Sequence, residues 1–247
     1  MVGKLGKRIK GVSLFAGAGI AETYLKEIGI DIVVANELIE SRANFYQHLY
    51  PYSKMVIGDI KDEKVKEEIE KHISQDVKLL LVTPPCQGVS SLGTSKSLLE
   101  ILNNKYSDKY NVEGDILNAK DYGVPQNAIS HLPSLESGER SDIKWHYSRP
   151  HNPRDVIAMK HTPTGCSAFK NLKHYPKKED SQKINGFHNT YKRMNWDEPA
   201  PARTMNSGNI GSHNNVHPGN LKPDGTYSDA RTLTVHELLI VSSLPIN

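Results

Sequence analysis

Ile9-Lys10-Gly11-Val12-Ser13-Leu14-Phe15-Ala16-Gly17-Ala18-Gly19 decides the fold. An aliphatic, β-branched run enters a glycine turn, the pattern of a buried strand that stops sharply before the chain turns back. The same rhythm recurs outward from it. Ala21 to Ile28 reads as a helix stopped by Gly29, Asp31 to Asn36 as a second strand, and Ser41 to Tyr50 as a helix ended by Pro51. Met55-Val56-Ile57 makes a short third strand, Lys61 to Ile73 a charged amphipathic helix, and Val77 to Val82 a fourth strand. Strands alternating with helices of this length form βαβ units, so the expected sheet is mainly parallel and functional groups gather at its C-terminal strand ends.

Four such ends carry chemistry. The glycine turn lets a ligand approach the backbone. It lacks the third glycine of a dinucleotide fingerprint, because Glu22 stands there, and so disfavours a pyrophosphate. Glu37 ends the second strand, where a carboxylate can accept both hydroxyls of a ribose, and Asp59 follows the third, placed to accept an adenine amino group. After the fourth strand comes Pro84-Pro85-Cys86-Gln87, a thiol on a loop stiffened by two prolines. Taken alone, the tetrapeptide is equally a structural cysteine at a strand end. The ordered series describes a nucleoside cofactor without phosphates beside a nucleophile.

The chain is 247 residues long, with net charge +3 and 37% apolar residues, which suits a soluble fold and permits a polyanionic partner without requiring one. Cys86 and Cys166 are too few for a disulfide framework and fit a reducing, cytoplasmic setting. Lys4 to Lys10 followed by apolar residues imitates a signal peptide, but three glycines and Glu22 interrupt it; a strand entering a turn explains every residue. No segment approaches the roughly 20 apolar residues of a membrane span. The histidines lack the short fixed spacings of a zinc site, so no metal is expected and they read as surface or hydrogen-bonded core residues.

Beyond about residue 130 the periodicity fades into a region rich in His, Asn, Pro and Gly, read as a loop-dominated module with a small core. Basic residues such as Arg149, Arg154, Lys173, Lys177, Lys178 and Arg193, with His146 among them, interleave there with Asn, Ser and aromatics. That mixture suits a surface gripping DNA phosphates and reading a groove, although scattered solvated charge accounts for some of it.

These residues together resemble the DNA (cytosine-5)-methyltransferases, which use S-adenosylmethionine. Phe15-Ala16-Gly17-Ala18-Gly19 is similar to the family's first motif, Glu37 and Asp59 (with Leu38 and Ile60 beside them) to its next cofactor contacts, and Pro85-Cys86-Gln87 to its catalytic motif. Asn118 to Gln126 resembles the eighth motif. Arg231-Thr232-Leu233-Thr234-Val235-His236-Glu237 resembles the ninth, with His236 where arginine is usual, and Pro199 to Met205 the close of a target recognition domain. The resemblance implies a Rossmann-like α/β methyltransferase with a mainly parallel sheet and a small loop-rich recognition domain. It divides the chain into a catalytic domain at 1–130, a recognition domain at 131–230 and a returning segment at 231–247. It further implies Cys86 as nucleophile toward a flipped cytosine in duplex DNA. Gln87, Ser90, Gln126, Arg203, Thr204, Asn206 and Ser207 are the implied DNA contacts, though Ser90 reads equally as a solvated loop residue.

The sequence also departs from that pattern. The family's Glu-Asn-Val tripeptide, whose glutamate bonds cytosine N3, does not occur, and only 39 residues separate Cys86 from Gln126. Glu100 and Glu113 do not end apolar strands. The arginines after the eighth motif and the tenth motif are missing too. Three explanations compete: segments of a longer chain omitted from this sequence, a complementing polypeptide of a split enzyme, or an inactive remnant that binds DNA or cofactor. A transfer-RNA cytosine methyltransferase is a further alternative, disfavoured by the sizeable second module.

Overall fold

In the first part of the chain, a parallel sheet carries alternating aliphatic residues inward. The computed structural model describes residues 8–84, 104, 107, 129–201, 208–213 and 215–246. Strands β1 (Ile9–Leu14), β2 (Ile30–Glu37), β3 (Lys54–Ile57) and β4 (Val77–Val82) lie in the order β3-β2-β1-β4, and every pair is parallel. Helices α1 (Glu40–Leu49) and α2 (Glu63–Glu70) supply connections. Val12, Val34, Val56 and Ile69 form one core cluster; Ala16, Ala35 and Tyr46 form another. Gly11 is required within the strand, because a Cβ there would lie 3.0 Å from Ile32 Cδ1 and 3.3 Å from Leu79.

One expected element is different. Residues 21–28, read as a helix closed by Gly29, are with that glycine a run of turns with bonds from Leu25 N to Glu22 O (3.0 Å), Glu27 N to Tyr24 O (3.1 Å) and Gly29 N to Lys26 O (3.2 Å). The buried Glu22 carboxyl accepts from Ser13 Oγ on β1, tying the first turn to the sheet, and Thr23 and Tyr24 are weak helix formers. Gly29, at φ +86°, still ends the segment. Among the described residues β4 pairs with β1 alone, and Leu80 and Val82 stay 61% and 42% exposed.

The chain divides into two compact units, Met1–Gly114 and Asp115–Asn247. Among the described residues the second has little regular structure: α3 (Pro153–Lys160), a short 3-10 turn at Ala168–Lys170, α4 (Val235–Val241) and isolated bridges such as Ser167 to Lys192 and Val216 to Thr232. Without ladders to satisfy loop carbonyls, side chains must do so. Arg193, fully buried, donates to the carbonyls of Met159 (3.0 Å), His217 (2.8 Å), Pro218 (3.2 Å) and Asp229 (3.2 Å). Arg231, also fully buried, grips both oxygens of Glu237 at 2.7 and 2.9 Å, Asp229 Oδ1 at 2.8 Å and Leu135 O at 2.8 Å. Glu237 in turn caps α4, accepting from Thr234 N at 2.7 Å while Thr234 Oγ1 accepts from Glu237 N. Burial alone would raise both carboxyls. The charges and hydrogen bonds around them hold Asp229 and Glu237 down to about 2.

Two histidines of this unit are built to stay neutral. His217 Nδ1 accepts from Gly219 N at 3.1 Å and His151 Nε2 accepts from Thr232 N at 3.3 Å, so neither nitrogen can carry a proton without losing a bond. Burial and nearby arginines bring both down to about 4.

Removing Arg231 strands two buried carboxylates, so Arg231→Met is expected to cost about 3–5 kcal/mol in urea denaturation. Acid acts on the histidines first. Their folded values lie below that of the unfolded chain, so their stabilisation is complete above about pH 6.5 and is lost as pH falls toward 4. Moving from pH 7 to 5 should cost unit two about 2 kcal/mol per histidine. Equal urea midpoints at the two pH values would contradict this.

Candidate functional site

The parallel sheet brings the C-terminal ends of β1, β2, β3 and β4 to one edge, and the candidate cofactor residues follow directly from it. At the end of β1 the backbone turns abruptly. Phe15, Gly17 and Gly19 all have positive φ, at +57°, +59° and +82°. For Phe15 this is a strained conformation, and strain of that kind collects at functional turns. Ala16 N bonds Asn36 O at 2.9 Å and Gly19 N bonds Ala16 O at 3.0 Å, so the turn is locked onto β2. Gly19 cannot carry a side chain, because a Cβ would sit 2.2 Å from the Tyr50 ring, whose hydroxyl donates to Gly19 O at 2.6 Å. Gly17 differs: among the described residues, and apart from its own chain neighbours, no atom lies within 4 Å of the position its Cβ would take. One glycine makes room for the protein and the other leaves room beside the turn.

Glu37 is buried and joins the two strand ends. Its Oε2 accepts from Gly17 N at 2.8 Å and its Oε1 from Ile39 N at 2.9 Å, while its carbonyl accepts from Gly58 N at 3.1 Å. A carboxylate can accept about four hydrogen bonds, so a pair of ribose hydroxyls can be added to these two. Asn36 extends the brace, donating to the carbonyls of Val56 (3.0 Å) and Gly58 (3.1 Å). Asp59 lies exposed just beyond, with Oδ1 accepting from Lys61 N at 2.9 Å. Leu38 is 61% exposed beside Glu37, whereas Ile60 is partly buried against the Val12 cluster.

At the fourth strand end, Thr83 Oγ1 donates to Phe15 O at 2.9 Å and Thr83 N to Leu14 O at 3.2 Å. These bonds draw the end of β4 onto the glycine turn immediately before Pro84. Pro85, Cys86, Gln87, Ser90, Gln126, Arg203, Thr204, Asn206 and Ser207 lie outside the described residues. Asn36, Tyr50 and Thr83 are positioning residues that sequence reading missed. Only Thr83, directly before the two prolines, stood where a signal could have been sought.

The basic module needs correction at two positions. Arg193 and His146, read among the DNA-facing groups, are core residues: Arg193 serves buried carbonyls, and His146 Nδ1 lies 2.8 Å from Ser141 Oγ with Nε2 3.4 Å from Glu237. Loops without periodicity give no sign of which cation is buried. Among the described residues no group of His, Cys, Asp or Glu could hold a metal ion, and no helix is long and apolar enough to cross a membrane.

Residues 9–100 match the family described as C-5 cytosine-specific DNA methylase. The chain is 39% identical, over 319 residues, to the type II methyltransferase M1.HgaI of Avibacterium volantium, covering 98% of this chain and 89% of the relative. That aligned region is longer than the 247 residues here, so the relative carries internal stretches without a counterpart in this sequence. A crystal structure of a prophage-encoded E. coli protein, assigned as a DNA modification methyltransferase, superposes with TM-score 0.56 over 96% of this chain and 89% of its own, at 14% identity.

The two glycines separate by experiment. Gly19→Ala should lose about 1–3 kcal/mol from overpacking against Tyr50 in addition to backbone strain, whereas Gly17→Ala loses the strain alone, about 1–2 kcal/mol. Equal losses in denaturant titration would refute the distinction.

Proposed function

The chain belongs to the C-5 cytosine-specific DNA methylases, and on that premise we propose that it methylates C5 of a flipped cytosine in duplex DNA through a covalent Cys86 adduct. The observation that carries this reading is the strand-end series: a glycine turn open beside Gly17, clamped by the Glu37 carboxylate and tied by Thr83 to the segment leading into Pro85-Cys86-Gln87.

S-adenosylmethionine would supply a sulfonium-activated methyl group when bound. The residues present fit it. The open side of Gly17 admits a close ligand; Phe15, Ala16, Ala18 and Gly19 shape the turn; Glu37 keeps acceptor capacity for ribose hydroxyls. Exposed Leu38 offers an apolar surface to the base, with Asp59 and Ile60 at the next strand end and Pro85 beyond β4. Cys86, as thiolate, adds to C6 of the cytosine and turns C5 into an enamine-like carbon able to take a methyl group. Once the methyl carbon has exchanged its bond to the departing sulfonium carrier for one to C5, the C5 proton passes to solvent water, the C5–C6 double bond re-forms and the thiolate is expelled, which leaves Cys86 ready for another cycle. Gln87, Ser90, Gln126, Arg203, Thr204, Asn206 and Ser207 would contact the DNA. The type II designation of the relative supports a place as the modification half of a restriction–modification system.

A second reading is favoured by one pair of observations. The relative has internal stretches missing here, and β4 leaves Leu80 and Val82 exposed, so a further strand with the base-binding glutamate would come from a longer chain or a complementing polypeptide.

Intact mass spectrometry after incubation with S-adenosylmethionine and mixed-sequence duplexes containing 5-fluorocytosine tests both readings, because fluorine cannot leave as a proton does. The expected result is a protein–DNA adduct that disappears in Cys86→Ala. No adduct with the 247-residue chain alone, but one after a complementing polypeptide is added, would select the split enzyme. No adduct under either condition would refute the activity.

A further inference from the structure

In the second unit, Lys177 and Lys183 face each other across an antiparallel bridge. Like charges directly opposite are destabilising in a sheet. The arrangement is nevertheless specific. Residues 176–184 form a small hairpin closed by bonds from Ile184 N to Pro176 O (3.1 Å), Lys178 N to Gln182 O (2.9 Å) and Ser181 N to Lys178 O (3.1 Å), with Ser181 at φ +64°. Its root is fixed, since Ile184 packs on the cluster around Met159 and Tyr191. Both lysine nitrogens lie over the same ring, at 4.9 Å (Lys177) and 4.3 Å (Lys183) from the centroid of Tyr175. The ring's attraction offsets part of their repulsion.

The surroundings add to the positive field. An open cavity of about 160 Å³ is lined by Arg154, Lys173, Lys177 and Lys178 together with His174 and Tyr175. Residues 170–183 hold five lysines against two carboxylates, Glu179 and Asp180. Glu179 also borders the cavity and pairs with Arg154 at 3.2 Å, but its side chain is 93% exposed and so weakly coupled. An anion seated at this hairpin would offset the repulsion its fold imposes.

We propose that the 176–184 hairpin, with the cavity beside it, is a grip for the phosphate backbone of duplex DNA. It positions the module without reading bases. The inference rests on the proposed duplex-DNA substrate but not on methyl transfer. Phosphates between Lys177 and Lys183 would relieve their repulsion, and Lys173, Lys178 and Arg154 would follow the strand onward.

The test is fluorescence anisotropy of the Cys86→Ala protein on a random-sequence duplex across roughly 50–200 mM salt. Lys177→Gln with Lys183→Gln should lower the slope of log affinity against log salt by about 2, near 0.9 per lost phosphate contact, and weaken every duplex alike. Lys177→Arg with Lys183→Arg should restore the slope. Thermal stability of the glutamine pair should equal or exceed that of the parent protein, because a like-charge pair has been removed. The exposed single variant Lys178→Gln supplies an independent reading, with a slope smaller by about 1. An unchanged slope, absence of any duplex binding, or equal lysine-dependent affinity for double-stranded RNA would overturn the proposal. Lysine-dependent binding without a 5-fluorocytosine adduct would leave the grip standing and remove the activity; an adduct with an unchanged slope would do the reverse.

Discussion

A buried carboxylate is tolerable only when its oxygens are occupied, and each unit of this protein is organised around one. In the first unit it is Glu37, held by the backbone amides of Gly17 and Ile39; in the second it is Glu237, held by Arg231 and Thr234 N. The partners differ for a physical reason. Glu37 is satisfied by neutral amides, one to each oxygen, and has no cationic partner among these bonds. Glu237 is neutralised by a guanidinium and caps a helix, which suits a fixed joint. Loss of either leaves amides or a charge buried without a partner, and the cost propagates to every loop tied to it.

The parallel sheet turns that local satisfaction into a site. Because all four strands run the same way, the strained turn at Phe15, the carboxylate of Glu37 and the approach to Pro84 share one edge. The hydrogen bonds between successive strand ends, Ala16 to Asn36, Gly58 to Glu37 and Thr83 to Phe15, each tie a residue just past one ladder to the end of a neighbouring strand or the turn that follows it. The described part of this edge is therefore braced by its own hydrogen bonds.

Much of the first unit was legible in sequence, since aliphatic runs ending in Gly, Glu or Pro mark buried strands and their ends. Glu37 and the glycine turn could be found that way, although their mutual hydrogen bond could not. Residues 21–28 depart from the helix their composition suggests because that composition competes with the Glu22–Ser13 contact, a tertiary effect that periodicity cannot register. The second unit was the least legible. Arg231 reaches Leu135 across 96 positions, and Arg193 resembled a surface cation until its carbonyl partners were in view. Where chain order is held by distant side chains instead of ladders, no local pattern reports burial. The cysteine loop and the recognition residues from Arg203 to Ser207 lie outside the described residues and stay as the sequence left them.

The hydrogen bonds of Arg193 go to the peptide backbone: three segments, the α3 helix at Met159, the 217–218 stretch and Asp229, lend it four carbonyls, a group every residue type possesses. An anchor of that kind is indifferent to what the loops spell. Residues around Met159, His217 and Asp229 can be exchanged without withdrawing their carbonyls, so the outer surface can diversify while the fastening persists. Such an arrangement lets the loops of this unit drift in sequence with no redesign of its centre.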